Sequence, residues 1–222
     1  MTILAFDFTS AHGGLAIRRD SQTVLEQSLY SPDGFAHLVF GAVDDILRRA
    51  GVRLAEIDCF AAASGPGSFT GVRVGLAAVK GLAEACGKRA MGVSNLRAVA
   101  SFGGSPLRAV ILDARRGDVF TAVYDAGLNL VIPETVGPLR AFLKELSREP
   151  DEVITQGTDW LRSGLAGTPW ANMSVIEAPQ SLASAVAECA YWDWQGGATG
   201  DPAALDANYV RRSDAELFWK DA

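Results

Sequence analysis

Residues 57–86, IDCFAAASGPGSFTGVRVGLAAVKGLAEAC, pass from an apolar stretch through a glycine-rich turn into a longer stretch with few charges. Ile57 to Ala63 is short and apolar and gives way to Ser64, which reads as a buried strand. From Gly71 to Cys86 the pattern predicts a helix whose charges are Arg73, Lys80 and Glu84. Strand, turn and helix in that order are the unit of an α/β fold. The linking segment, Ser64-Gly65-Pro66-Gly67-Ser68-Phe69-Thr70-Gly71, stands where backbone N–H groups and the helix dipole favour an anion. It matches neither common phosphate pattern. No Gly-Lys-Ser/Thr occurs, as a Walker loop requires, and after Gly65-Pro66-Gly67 the next glycine, Gly71, falls one residue late for G-x-G-x-x-G. Turn chemistry alone accounts for the same residues, with Pro66 fixing φ and the glycines free to take positive φ.

Upstream, Ile3 to Phe8 reads as a buried strand that stops at a polar turn, Asp7-Phe8-Thr9-Ser10. Leu15 to Arg18 and Thr23 to Leu29 continue it as an antiparallel meander, and Pro32-Asp33-Gly34 breaks the chain. Phe35, Leu38, Val39, Ala42, Val43, Ile46, Leu47 and Ala50 then trace one apolar face, predicting a helix from Phe35 to Ala50 with Asp33 as N-cap and Gly51 as stop. Around Ser101 to Pro106 the sequence FGGSP reads as a lobe boundary, dividing the chain into residues 1–103 and 104–222, with the tail returning to the first lobe. Beyond it come a strand from Arg108 to Asp113, a helix from Pro138 to Ser147, a strand from Val153 to Gln156, a helix near Ser181 to Trp192 and a loop from Gly196 to Pro202. ILAFDFTSAHGGLAI and VILDARRGDVFTAVY both run strand, Asp, polar turn, Gly, strand, a faint internal echo.

Composition removes several function classes. The 222 residues carry a net charge of −6, so a chain that grips nucleic acid unaided is not expected, because phosphate neutralisation needs clustered Lys and Arg. Cys59, Cys86 and Cys189 are widely spaced without a C-x-x-C pair, and His12 and His37 form no His-x-x-x-His. Disulfides and a resident metal are therefore not expected, and a reducing cytoplasm fits. The first residues, MTILAFDFTS, resemble neither a signal peptide nor a membrane anchor. Asp7 and Asp113, each closing an apolar strand, could hold Mg²⁺ through water, or could simply cap turns. Ser68 lacks the G-x-S-x-G elbow, and nothing pairs it with His37. For Trp160, Trp170, Trp192, Trp194 and Trp219 the expectation is packing rather than a cofactor.

Five collinear blocks, ILAFDFTS, ASGPGSFTGVRVGLAAVKGLA, GVSNLRAVA, DARRGDVFTAVY and NYVRR, resemble the TsaB (YeaZ) family, the run from Gly65 to Ala83 being the specific part. The resemblance implies two ribonuclease-H-like lobes of the actin, Hsp70 and sugar-kinase superfamily. It implies a non-catalytic scaffold, without a cofactor, that pairs with TsaD in making threonylcarbamoyl-adenosine beside the tRNA anticodon. TsaE, an ATPase, joins that assembly, tRNA is met only through the complex, and a homodimer forms when TsaD is absent. Carried onto this chain, the partner surface falls on Phe35, Leu38, Val39, Val43 and Ile46 of the first helix and on Gly71, Val72, Arg73, Gly75, Leu76 and Val79 of the second. Two such helices, one of them apolar on several sides, are expected to need a second chain to cover them, so that Gly75→Arg should block pairing in a folded monomer. Asp7, Thr9 and Ser10 resemble the first phosphate loop of the superfamily, and with Gly67 and Ser68 they are the candidate nucleotide or anion residues. The competing expectation is a small actin-like ATPase or phosphotransferase using Asp7 and Asp113.

Overall fold

The computed structural model describes residues 1–146 and 149–210. The first half contains β1 (Thr2–Asp7), β2 (His12–Arg19), β3 (Gln22–Tyr30), α1 (Val39–Ala50), β4 (Cys59–Gly65), α2 (Phe69–Cys86), β5 (Arg89–Ser94) and α3 (Asn95–Ala100). The second contains β6 (Leu107–Asp113), β7 (Asp118–Asp125), β8 (Leu130–Pro138), α4 (Leu139–Glu145), β9 (Glu152–Thr155), α5 (Thr158–Leu165), β10 (Val175–Glu177) and α6 (Ala183–Gln195). Each half forms one five-stranded sheet, in the orders β3-β2-β1-β4-β5 and β8-β7-β6-β9-β10. In each, the first three strands are an antiparallel meander and the last two run parallel to the first. Element for element the halves repeat each other. The echo between the segments around Asp7 and Asp113 is thus part of a duplicated ribonuclease-H-like unit, the arrangement of the actin, Hsp70 and sugar-kinase superfamily.

The two sheets face each other across α3 and α6. One core joins Ile3, Ala5 and Ala61 of the first sheet to Val110 and Tyr124 of the second through Leu96 and Val99 of α3 and Val186 of α6. The residues α6 buries are mostly small, Ala183, Ala185, Ala187, Cys189 and Ala190 among them. A helix between two sheets has no free face for large side chains, and close packing makes an added methylene costly there. α1 and α2 cover the other face of the first sheet, and α4 and α5 the outer face of the second.

Local hydrogen bonds show why helix boundaries moved from the sequence expectation. α1 begins at Val39 with Leu38 as N-cap and no side-chain cap bond, not at Phe35 with Asp33 as cap. Ser31 Oγ donates to the Gly34 carbonyl, Gly34 takes φ +88°, and the amides of Leu38 and Val39 both donate to Phe35 O, so the chain makes a tight turn before it coils. At the other end Gly51 stops α1 as expected, in the left-handed region at φ +64°, with the Val52 amide reaching back to Leu47 O. α2 begins two residues before the expected Gly71, with Ser68 Oγ accepting the Gly71 amide. β5, α3, β8, α5 and β10 had no counterpart in the sequence reading. Ser147, the expected end of the helix at α4, and Trp219 lie outside the described residues.

Candidate functional site

β1 ends at Asp7, which is 1% exposed. Its Oδ1 accepts the Thr9 amide at 3.0 Å and the Thr9 hydroxyl at 2.6 Å, and its Oδ2 accepts the Leu182 amide, at the start of α6, at 2.8 Å. Asn95, at the start of α3, donates from Nδ2 to Thr9 Oγ1 at 2.6 Å, and its Oδ1 accepts the Gly65 amide at 3.0 Å. The Ser68 amide donates to the Thr9 carbonyl at 2.7 Å. One buried polar chain therefore fastens β1, β4, the glycine-rich turn, α3 and α6 together. Burial pushes the Asp7 carboxyl above the usual carboxylate range, against the pull of the Thr9 and Leu182 hydrogen bonds and with a further push from the charge of Glu26.

This arrangement brings Asp7, Thr9, Gly67 and Ser68 together but spends the polar groups of Asp7 and Thr9, and the Ser68 amide, internally. Both Asp7 oxygens are occupied, and the amides of Gly65, Ser68 and Gly71 donate to Asn95, Thr9 and Ser68 Oγ rather than toward open solvent. A Cβ at Gly67 would stand 2.7 Å from the Thr9 side chain, and one at Gly71 would overlap the Phe8 carbonyl oxygen. The glycines let the turn press against the backbone of Phe8 and Thr9. Ser10 is turned into its own hairpin, donating to His12 O at 2.8 Å and accepting the His12 amide at 3.1 Å.

Asp113 repeats the local geometry of Asp7, with Oδ1 accepting the amide two residues on, that of Arg115, at 2.8 Å. The resemblance ends there. Asp113 is exposed, its other oxygen lies 3.7 Å from Arg115 Nη1, and among the described residues it shares no partner with Asp7. An open groove of about 860 Å³ between β5 and residues 196–206 is lined by Met91, Trp192, Leu205 and three carboxylates, Asp193, Asp201 and Asp206. Its charge is the wrong sign for a phosphate. Among the described residues no three His, Cys, Asp or Glu side chains cluster to hold a metal ion.

The helix pair is placed differently from the sequence expectation. Phe35, Val39, Val43 and Ile46 are buried, as are Gly71, Val72, Gly75, Leu76 and Val79, on the side where the helices pack on the first sheet. The sheet takes one side of α2, while Val74, Ala78 and Leu82 beside it are only partly buried. Gly75 lies 3.8 and 3.9 Å, by its absent Cβ, from Phe8 and Ala62. Gly75→Arg would force a charge into this core and should unfold the chain, not merely block pairing. Of the expected partner residues, Arg73 is exposed and Leu38 half-buried.

What α1 and α2 do present outward is Phe40, 71% exposed, with Gly41 and Asp44 on α1, and Arg73, Ala77 and Gly81 on α2. The Arg73 guanidinium stacks 3.6 Å from the Phe69 ring centroid and donates from Nε to the Tyr209 hydroxyl at 3.0 Å. Asn95, Leu182 and Glu134 escaped the sequence reading. Glu134 accepts hydrogen bonds from Tyr124, Ser94 and Asn208, joining the second sheet to the end of β5 and to the chain after α6. A polar Asn inside the apolar run GVSNLRAVA was the available signal for Asn95. Arg211 and Arg212 of the NYVRR block lie outside the described residues.

The family described as tRNA N6-adenosine threonylcarbamoyltransferase, TsaD, matches residues 34–188. The chain is 31% identical over 164 residues, 72% of each chain, to the tRNA threonylcarbamoyladenosine biosynthesis protein TsaB of Bacillus subtilis strain 168. It is 32% identical over 168 residues, again 72% of each, to the protein of the same name from Escherichia coli strain K12. In structure it is similar to YeaZ from Pseudomonas aeruginosa, with a TM-score of 0.79 and 25% identity over 94% of this chain and 99% of that one. On this identity and coverage, and with the fold in agreement, the chain belongs to the TsaB (YeaZ) family of proteins involved in threonylcarbamoyladenosine modification of tRNA.

Proposed function

We propose that the chain is a non-catalytic subunit that pairs with a TsaD-like threonylcarbamoyltransferase in the cytoplasm and supports its action on the adenosine next to the tRNA anticodon. The observation that carries this reading is the Asp7 clasp. The carboxylate standing where an actin-like phosphate loop would need a free acid has both oxygens committed to Thr9 and Leu182. The outer faces of α1 and α2, around Phe40, Ala77, Gly81 and Arg73, are the partner surface in this reading. Of the residues first expected there, Arg73 and Leu38 reach this surface, and the others back it from the core. An exposed aromatic beside small residues allows another helix to approach closely, and a stable contact would bury about 1,600 Å² in total. The same surface closes a homodimer when the transferase is absent. A TsaE-like ATPase joins the pair, and tRNA is met through the complex, in keeping with the acidic charge of this chain.

The test is to mix the purified chain with the transferase of the same organism and to measure association and threonylcarbamoyl transfer. Association and stimulated transfer are expected, with Phe40→Asp weakening both in a chain that still folds. Full activity of the transferase by itself, or no complex, would overturn the proposal. The ATPase alternative is decided by calorimetry and turnover with Mg-ATP on the isolated chain, where neither binding nor hydrolysis is expected. Turnover removed by Asp7→Ala would favour the enzyme.

A further inference from the structure

Beyond α6 the chain turns back along the first sheet. Ala90 of β5 donates its amide to Gly200 O at 2.8 Å, so residues around Gly200 lie along the free edge of that strand. Leu205 is 6% exposed and packs where a Cβ on Gly92 would stand 2.9 Å from it. Asn208 is held at both ends: its amide donates to Ser64 O at 2.8 Å, and its Nδ2 donates to Glu134. The next residue, Tyr209, therefore leaves a fixed point and reaches the first turns of α2.

There it meets Arg73 and Phe69. The Arg73 guanidinium carbon lies 3.6 Å from the Phe69 ring centroid and 5.9 Å from that of Tyr209, and the two rings are 5.9 Å apart. Nε is taken by the Tyr209 hydroxyl. All three side chains are exposed, Phe69 at 44% and Tyr209 at 47%. A free surface arginine samples many rotamers, and ordering it opposes binding. Here stacking and the Nε bond order it in advance, and among the described residues Arg73 makes no ion pair with a carboxylate. Guanidinium forks match carboxylates bidentately, and arginine and tyrosine are the residues most often found to dominate protein interfaces.

We infer that Phe69, Arg73 and Tyr209 form a preset docking point that takes an aspartate or glutamate side chain of the partner protein, with the C-terminal strap supplying the residue that aims it. This rests on the pairing proposed above and adds the chemistry of one contact within it. Neither Phe69 nor Tyr209 was singled out by the helix pattern, because the site exists only where the strap crosses α2.

The experiment measures affinity for the transferase by calorimetry, using the full chain and three variants whose melting temperatures match the parent. Arg73→Lys keeps the charge but loses the fork and the stack, and should weaken binding about tenfold or more. Tyr209→Phe keeps the ring and removes only the hydroxyl, and should weaken binding by about threefold or more through the freed guanidinium. Arg73→Glu should abolish binding, and one Asp→Lys or Glu→Lys substitution in a scan of the transferase surface should restore it. Native binding with Arg73→Lys and Tyr209→Phe both within twofold of it would overturn this contact and leave the pairing standing, as would a scan in which no substitution restores Arg73→Glu. No binding by the native chain would overturn the pairing and the contact together.

Discussion

Asp7 Oδ2 accepts the backbone N–H of Leu182 at 2.8 Å, a bond that spans 175 residues of sequence. It joins the end of the first strand of one repeat to the start of the last helix of the other. Asp7→Asn replaces one carboxylate oxygen with an NH₂ group, so either Leu182 or Thr9 must face a donor where it had an acceptor. An unpaired buried amide costs about 1–3 kcal/mol, and at this chain length each kcal/mol lowers the melting temperature by roughly 2–4 °C. Calorimetric melting of Asp7→Asn should show that loss. A variant as stable as the parent would mean that the clasp contributes nothing to folding.

The same carboxyl gives a pH signature with a defined sign. Its folded pKa is raised above the ordinary 3.8, so the native state holds this proton more tightly than the unfolded chain does. The stabilising contribution is fully present below the ordinary value and is lost as pH rises through the raised one. Asn does not titrate, so subtracting the Asp7→Asn variant cancels the other groups. Urea unfolding at pH 7 and again near pH 4.5 should show the parent gaining stability relative to the variant at the lower pH. A gap that narrows instead would show that hydrogen bonding, not burial, dominates this carboxyl.

Two glycines of α2 provide a matched comparison. Gly71 has the Phe8 carbonyl where its Cβ would stand, whereas nothing lies within 4 Å of a Cβ at Gly81. Gly71→Ala must push α2 away from β1 and should destabilise by about 1–3 kcal/mol. Gly81→Ala should stabilise by about 0.8–1.0 kcal/mol, the difference in helix propensity. Denaturant midpoints of the two variants are expected to move in opposite directions. Equal shifts would contradict the close approach of the turn to Phe8.

How far these features could be read in the sequence depended on the distance between interacting residues. The strands and helices around Asp7 and from Ile57 to Cys86 were legible because an apolar run, a Gly-Pro turn and a left-handed glycine stop are all local signals. The start of α1 was not, since a turn built by Ser31, Gly34 and Phe35 displaced the cap that Asp33 seemed to offer. Asn95 finds its partners 86 and 30 residues away, at Thr9 and Gly65, and no spacing rule reaches that far. For the apolar residues of α2, helical periodicity reveals how many faces are apolar and not what covers them. The sheet behind Val72, Leu76 and Val79 is a tertiary fact.

Cysteine chemistry tests the two main cores independently of any partner. Cys59 and Cys189 lie in the core between the sheets, and burial pushes each thiol up to about 12. A thiol with so high a pKa is almost wholly protonated at pH 8 and does not attack disulfide reagents, and neither sulfur is reachable without opening the fold. Cys86, in the last turn of α2, is half-buried and stands at the outer edge of the other core. Titration of the native chain with an aromatic disulfide at pH 8 should therefore release one equivalent quickly and the remaining two only at the rate of unfolding. In denaturant all three cysteines should react at once. Fast release of two or three equivalents from the native chain would mean that α6 does not stay clamped between the sheets, and the Asp7 bond to Leu182 would be the first contact to doubt.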